Sequence, residues 1–188
     1  MARPESLRNL IQLVREDLRA HRGLWSCPGF HAVATLRYNQ FIHTLPNSVP
    51  RKLLIGIGRV AETFCRNVES IELPYTVKLG RRVVFEHQGI VVHGDAEIGD
   101  DCIVRQGCTL GNRYLDRPRE APKVGRGVNF GAGAKVLGAI QLGDRATVGA
   151  NSVVLEDVPN GATVVGIPAR DPSQRRRMVL AKLSKPED

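Results

Sequence analysis

The sequence predicts a mainly β chain, a coil of very short strands behind a small α-helical N-terminal region. Three observations carry that expectation. Aliphatic or aromatic residues recur every six positions through much of the C-terminal part. Glycine is plentiful, at 19 of 188 residues, while aromatic residues make up only 5%. Strands repeat every two residues and helices every 3.6, so a sustained period of six belongs to neither and marks an internal repeat.

Residues 1–70 read as helical. Leu7, Leu10, Ile11, Val14 and Leu18 share one helical face, and Gly23 breaks the pattern. A second helix opens at Ser26 and Pro28, a cap and a first-turn proline, and runs through Phe30, Val33, Leu36, Phe41 and Ile42 to Pro46. A third starts after Pro50 and carries Leu53, Leu54, Ile57, Val60, Ala61, Phe64 and Val68. Three helices of this size bury little surface alone, so they are expected to pack on the rest of the chain.

Residues 71–170 carry the repeat. Val124, Phe130, Val136, Leu142, Val148 and Val154 lead six successive hexads, and the position four further on is Val128, Ala134, Ile140, Ala146 and Ser152. Leu73, Leu79 and Phe85 lead the earlier hexads. After a one-residue slip near Val91 and Val92 the lead passes to Ile98, Val104 and Leu110, with followers Val77, Val83, Gly89, Ala96, Cys102 and Cys108. Such a period fits a triangular prism: each hexad supplies one strand and one turn, three hexads close one coil, and leading side chains stack inside. Gly99 with Asp100, Gly143 with Asp144, and Asn151 supply turn conformations. A narrow interior also accounts for the scarcity of large rings. The polar interruption 111–123 is a candidate functional loop, and 171–188 form a basic tail.

Composition limits the function classes. Lys and Arg number 27 against 19 Asp and Glu, a net charge of +8. Apart from Arg175, Arg176 and Arg177 the charge is dispersed, with no aromatic platform, so nucleic acid is not an expected partner. Charges interrupt the N-terminal stretch and no long apolar run occurs, which predicts neither a transmembrane segment nor a secretory leader. Cys27, Cys65, Cys102 and Cys108 form no CxxC pair and read as reduced thiols of a cytoplasmic protein. No spaced Cys/His set suggests a catalytic metal.

Three segments resemble a known family: IELPYTVKLGRRVVFEHQGIVVHG, GAGAKVLGAIQLGDRATVGANSVVLEDVP and VVGIPAR. They are similar to the hexapeptide-repeat acyltransferases, and within them to the serine acetyltransferase branch. The resemblance implies a left-handed parallel β-helix; spacing alone does not give the hand, and the usual crossover rule favours the right. It further implies acetyl-CoA as co-substrate, O-acetyl transfer, and a homotrimer with active sites between subunits.

Among five histidines, His87 falls two residues after the leading Phe85 and should point away from the interior. Taken alone it is an ordinary solvated residue; the resemblance makes it the catalytic base. A hydroxyl is a poor nucleophile near neutral pH, and a positioned imidazole takes its proton as it attacks the thioester. The oxyanion then needs a donor, expected from a backbone N–H near the next coil. Glu72 matches the acidic dyad partner that orients the base, or else is a surface glutamate at a helix-to-strand junction. Glu86 matches an acceptor-binding acid, or is a turn carboxylate. The resemblance puts coenzyme A near Gly111, Asn112, Ala132, Ala150 and Arg170. The arginine run 175–177 either meets nucleotide phosphates or is a solvated tail. An acyl-cysteine route is disfavoured because Cys102 and Cys108 occupy inward positions. His93 is left as a pocket-wall candidate.

Departures from the branch bear on the acceptor. Serine acetyltransferases carry Arg and His just before a Pro and Lys in the loop; here Glu120 and Ala121 precede Pro122 and Lys123. The Asp-Pro element of the helical region is missing between Glu16 and Gly29. The loop opening GNRYLDRP instead resembles an exopolysaccharide subset of the colanic-acid type, with Arg113 and Tyr114 as candidate sugar contacts. The expected acceptor is therefore a sugar hydroxyl of a bacterial glycan or its precursor. Serine, for cysteine biosynthesis, is the alternative, and a non-catalytic scaffold the second.

Overall fold

In a computed structural model the structure describes residues 2–171; the arginine run 175–177 lies outside them. Three helices come first, α1 (Leu7–Ala20), α2 (Pro28–Thr44) and α3 (Val49–Asn67). The rest winds as a parallel β-helix with three faces. One face stacks β1 (Ile71–Glu72), β4 (Ile90–Val92), β7 (Thr109–Gly111), β10 (Lys135–Leu137) and β13 (Val153–Val154). The second stacks β2 (Lys78–Leu79), β5 (Glu97–Ile98), β8 (Lys123–Val124) and β11 (Gln141–Leu142). The third stacks β3 (Val84–Phe85), β6 (Ile103–Val104), β9 (Asn129–Phe130), β12 (Thr147–Val148) and β14 (Thr163–Val164).

Parallel pairing puts like on like. Phe85, Val104, Phe130, Val148 and Val164 form one inward column, and all but Val164, the last, are completely buried. Cys102 and Cys108 are inward too; burial pushes Cys102 up to about 11 and raises Cys108, so both remain thiols near neutral pH. The corners divide two tasks between different residues. Gly99, Gly125 and Gly143 lie where an added Cβ would come within 2.6 Å of the next coil, whereas the left-handed backbone falls to Asp101, Arg145 and Asn151. Asp100 and Asp144 lie in the turns as expected, but the left-handed position is the residue after each, and stacking reserves Gly99 and Gly143 for close approach.

The pairing also relocates the slip in the repeat. Val84 and Phe85 pair with residues 19 positions on, Ile103 and Val104, whereas Val91 and Val92 pair 18 positions on with Thr109 and Leu110. The extra residue therefore sits in the corner 86–89. Three residues separate Phe85 from Gly89 there, and two separate Val104 from Gly107. Two left-handed residues, His87 (φ 67°) and Gly89 (φ 75°), absorb it. The inward follower is consequently Ile90, wholly buried, and not Gly89. The interruption is likewise shorter than 111–123, because Gly111 and Lys123 belong to β7 and β8.

The helices bind the first coil through polar contacts. Arg37 of α2 is completely buried. It donates to Asp17 Oδ2 at 3.1 Å, to the carbonyls of Ala2 (2.7 Å) and Leu79 (3.2 Å), and to that of Gly80. Gln40 adds bonds to the carbonyls of Tyr75 and Val77. Asp17 turns α1 so that Leu10, Leu13 and Asp17 face inward, leaving the expected core residues Leu7 and Ile11 exposed. The N-cap of α2 is Cys27, without a side-chain bond, and not Ser26. Helix α3 approaches α2 through Gly58, whose added Cβ would lie 1.8 Å from Asn39 Oδ1. Small residues, Gly58 and Cys65, therefore make its buried face, while Leu53, Ile57, Val60 and Phe64 face outward. No helix among the described residues is long and apolar enough to cross a membrane.

Replacing Arg37 by Met strands the buried Asp17 carboxylate and is expected to cost about 3 kcal/mol or more in urea denaturation. Combining it with Asp17→Leu should restore only the part due to the stranded carboxylate, because the carbonyls of Ala2, Leu79 and Gly80 still lose their donor.

Candidate active site

The corner carrying the extra residue is held from below and from the side. Ser70, itself left-handed, accepts from the N–H groups of Gly89 (2.9 Å) and Ile90 (3.1 Å). Glu86 N–H donates to Val104 O at 2.8 Å, and Gln88 O accepts from Gly107 at 3.1 Å. The residue before the corner is fixed by the helices. Phe85 N–H donates to His21 Nε2 at 3.3 Å, while His21 Nδ1 meets Asp17 O at 2.7 Å. A carbonyl only accepts and a backbone N–H only donates, so these partners select the neutral Nδ1–H tautomer. Burial lowers the His21 pKa in the same sense. Gly29, in the first turn of α2, lies so close that an added Cβ would be 1.9 Å from Phe85 O.

A cleft of about 590 Å³ opens beside this corner, between the α1–α2 junction (His21, Arg22, Leu24, Cys27) and residues 84–88 with Gln106. His87 projects into it as the inserted residue. Glu86 is bracketed by two cations, Arg105 Nε at 3.3 Å and Arg22 at 4.0 Å. Arg22, Arg105 and Gln106 were not anticipated from sequence; only register shows that Arg105 stacks on Glu86.

The remaining candidates fall in several places. The edge that bears His87 continues upward through Gln106, Ala132 and Ala150. Its corners at Gly107, Gly133 and Asn151 bond to the carbonyls of Gln88, Gln106 and Ala132. Coils about 4.8 Å apart put Ala132 about 10 Å from the His87 level. Those three N–H groups are committed to the ladder, so the oxyanion donor expected from the next coil is not among them. Gly111 and Asn112 lie on the next edge, across the face of β7. An added Cβ at Gly111 meets nothing nearer than 3.8 Å, so coil stacking does not require glycine there. Arg170 pairs with Glu156 at 3.2 Å. Glu72 is exposed on β1, beside Val91 of the coil above, and neither it nor His87 has a side-chain hydrogen-bond partner among the described residues. Within the chain the expected dyad is not joined. His93 Nδ1 accepts from Asp95 N–H at 3.2 Å, a local turn contact.

In the loop, Arg113 and Arg117 place their guanidiniums over the Tyr114 ring, 5.1 and 5.3 Å from its centroid. Glu120 pairs with Arg117, and Ala121 is buried.

No protein-family model matches the chain. A serine acetyltransferase of Helicobacter pylori strain J99 is 36% identical over 167 residues, which cover 86% of this chain and 93% of the relative. The chain belongs to the serine acetyltransferase family. Membership makes it an acyltransferase. Solved structures agree. Soybean serine acetyltransferase complexed with serine superposes with a TM-score of 0.71 at 32% identity, covering 86% of this chain and 69% of that one. Serine acetyltransferase of Brucella abortus in complex with coenzyme A gives 0.73 at 28%, covering 88% and 68%.

The His21 contact has a pH signature. Its folded pKa lies below the unfolded value of about 6.5, so stability is complete above that pH and falls as pH drops through it. Urea unfolding between pH 7 and 5 should show this acid loss, and His21→Gln should flatten it.

Proposed function

We propose that this serine acetyltransferase family member is a serine O-acetyltransferase that uses acetyl-CoA. The observation that carries the reading is its match along 93% of a serine acetyltransferase of similar length. The cleft chemistry supports it. Serine presents an ammonium and a carboxylate together, and Glu86 between Arg22 and Arg105 offers the complementary charges in one place. Arg22 and Arg105 supply the positive charge that Glu120, an acid, and Ala121, a methyl group, do not.

His87 acts as general base. It takes the hydroxyl proton as the serine oxygen forms its bond to the thioester carbonyl carbon. The tetrahedral intermediate then collapses, the C–S bond breaks, and the CoA sulfur leaves as a thiol with the proton returned by the imidazolium. No covalent enzyme intermediate is needed, and the buried, protonated Cys102 and Cys108 offer none. Glu72 is assigned to orient His87. In one protomer Gly111 and Asn112 stand on a different edge from His87, Ala132 and Ala150. Both edges border a single coenzyme A groove when protomers associate as a trimer, one edge of each facing the other edge of its neighbour. Small residues there let the extended pantetheine arm reach backbone groups.

A sugar hydroxyl is the second reading, favoured by the absence of a loop cation pair at Glu120 and Ala121. The Tyr114 ring weighs against it, because two guanidiniums already lie over it.

CoA-thiol release by the full chain decides between them: serine-dependent turnover is expected, and turnover only with glycan acceptors establishes the second reading. His87→Ala should lower kcat by about a hundredfold or more while coenzyme A binding by calorimetry stays unchanged.

A further inference from the structure

The outward face of α3 is built like a surface helix of a membrane interface. Val49, Leu53, Ile57, Val60, Phe64 and Val68 recur at spacings of three and four, so they make one continuous stripe. All are exposed, Leu53 and Val60 by 70% and 71%. Lone exposed apolar residues are ordinary, but an unbroken stripe five turns long is not.

Charge singles out the partner. Lys52, Arg59 and Arg66 are seven residues apart, which aligns them in an exposed row beside the stripe, with only Gly56 and Thr63 between the two. The helix has one carboxylate, Glu62, and Asn39 of α2 donates to it on the inner side. A second copy meeting this face with its own α3 brings apolar surface but no outward acid to the cationic row. What fits is a surface that is apolar in depth and anionic at its rim, where lysine and arginine stems lie along the apolar layer with their charges at phosphate level.

A second feature extends the stripe at its C-terminal end. His31 meets Glu69, two residues beyond α3, through Nδ1 at 2.5 Å and the Trp25 carbonyl through Nε2 at 2.7 Å. Trp25 is thereby fastened near the end of the stripe, and it is 74% exposed. An exposed tryptophan beside an apolar, cation-flanked helix is the residue type that settles at headgroup level.

We infer that α3, with Trp25 at its end, docks the protein on anionic phospholipid surfaces. The proposal is independent of the acceptor. Sedimentation of the full chain with vesicles of phosphatidylcholine and phosphatidylglycerol (3:1), and of phosphatidylcholine alone, tests it. Binding to the anionic vesicles is expected to exceed binding to the neutral ones by about tenfold and to fall as salt is raised. The triple variant Lys52→Ala/Arg59→Ala/Arg66→Ala, which leaves the stripe intact, should lose about tenfold in partitioning. Leu53→Glu/Val60→Glu should abolish binding while its light-scattering mass and CoA-releasing activity match the parent's. Equal or absent binding to the two vesicle types overturns the proposal. A lower mass for the glutamate variant also overturns it, because the face then joins copies of the chain.

Discussion

Vertical register governs this molecule. Parallel coils bond strand to strand, so each residue is forced onto its counterpart in the coil below, and any departure from an 18-residue coil must be discharged at a corner. Inside the prism the rule yields unbroken columns such as Phe85, Val104, Phe130 and Val148. At the corners it demands glycine where coils nearly touch and left-handed backbone where the chain turns. Three irregularities survive, all outside the core. One is the loop after Gly111, another the single extra residue of the 86–89 corner, and the third the shortened last coil, where Leu142 and Thr147 meet Val158 and Thr163 only 16 positions on. A core of stacked aliphatic columns has no place for any of them, so irregularity and chemistry share the surface.

The extra residue makes the His87 corner unlike the corners above it. Glycine or asparagine occupies the left-handed position in every coil along this edge, at Gly89, Gly107, Gly133 and Asn151. Only the first coil adds a second left-handed residue, His87. Such a backbone is tolerated at a cost that its surroundings must cover. Those surroundings are the helices: His21 binds Phe85 N–H, and Gly29 abuts the Phe85 carbonyl. Arg37 in turn fixes α2 to the first coil and to Asp17 of α1. The helical region thus serves as a buttress for one corner, and its polar contacts are directed at backbone groups, which do not depend on which side chains fill the prism.

Much of this was legible in the sequence because the repeat is periodic and the columns are chemically uniform. The inward positions at Val104, Val136 and Val148 followed from spacing alone, and the family followed from three quoted segments. Helix faces were less legible. Apolar periodicity marked Leu7, Ile11, Leu53 and Val60 as core, whereas a buried Asp17–Arg37 pair and the small residues Gly58 and Cys65 determine what turns inward. Periodicity does not register a buried ion pair or a glycine contact. The position of the slip was misread by a few residues because Gly89 resembles a small follower. Arg22 and Arg105 were invisible because their meeting at Glu86 depends on stacking across coils. The loop resemblance favoured a sugar acceptor, whereas the match covering 93% of a serine acetyltransferase supports the proposal of serine and the guanidiniums over Tyr114 weigh against a sugar stacked there.

Deleting Gln88 tests the central claim most directly, because it returns the 86–89 corner to the spacing of the corners above and leaves Glu86 and His87 in the chain. If the inserted residue is what presents His87 to the cleft, the shortened protein should unfold cooperatively near the parent's midpoint and bind coenzyme A, yet lose acetyl transfer by about a hundredfold or more. Acetyl transfer at the parent's rate by a well-folded deletion variant contradicts the account.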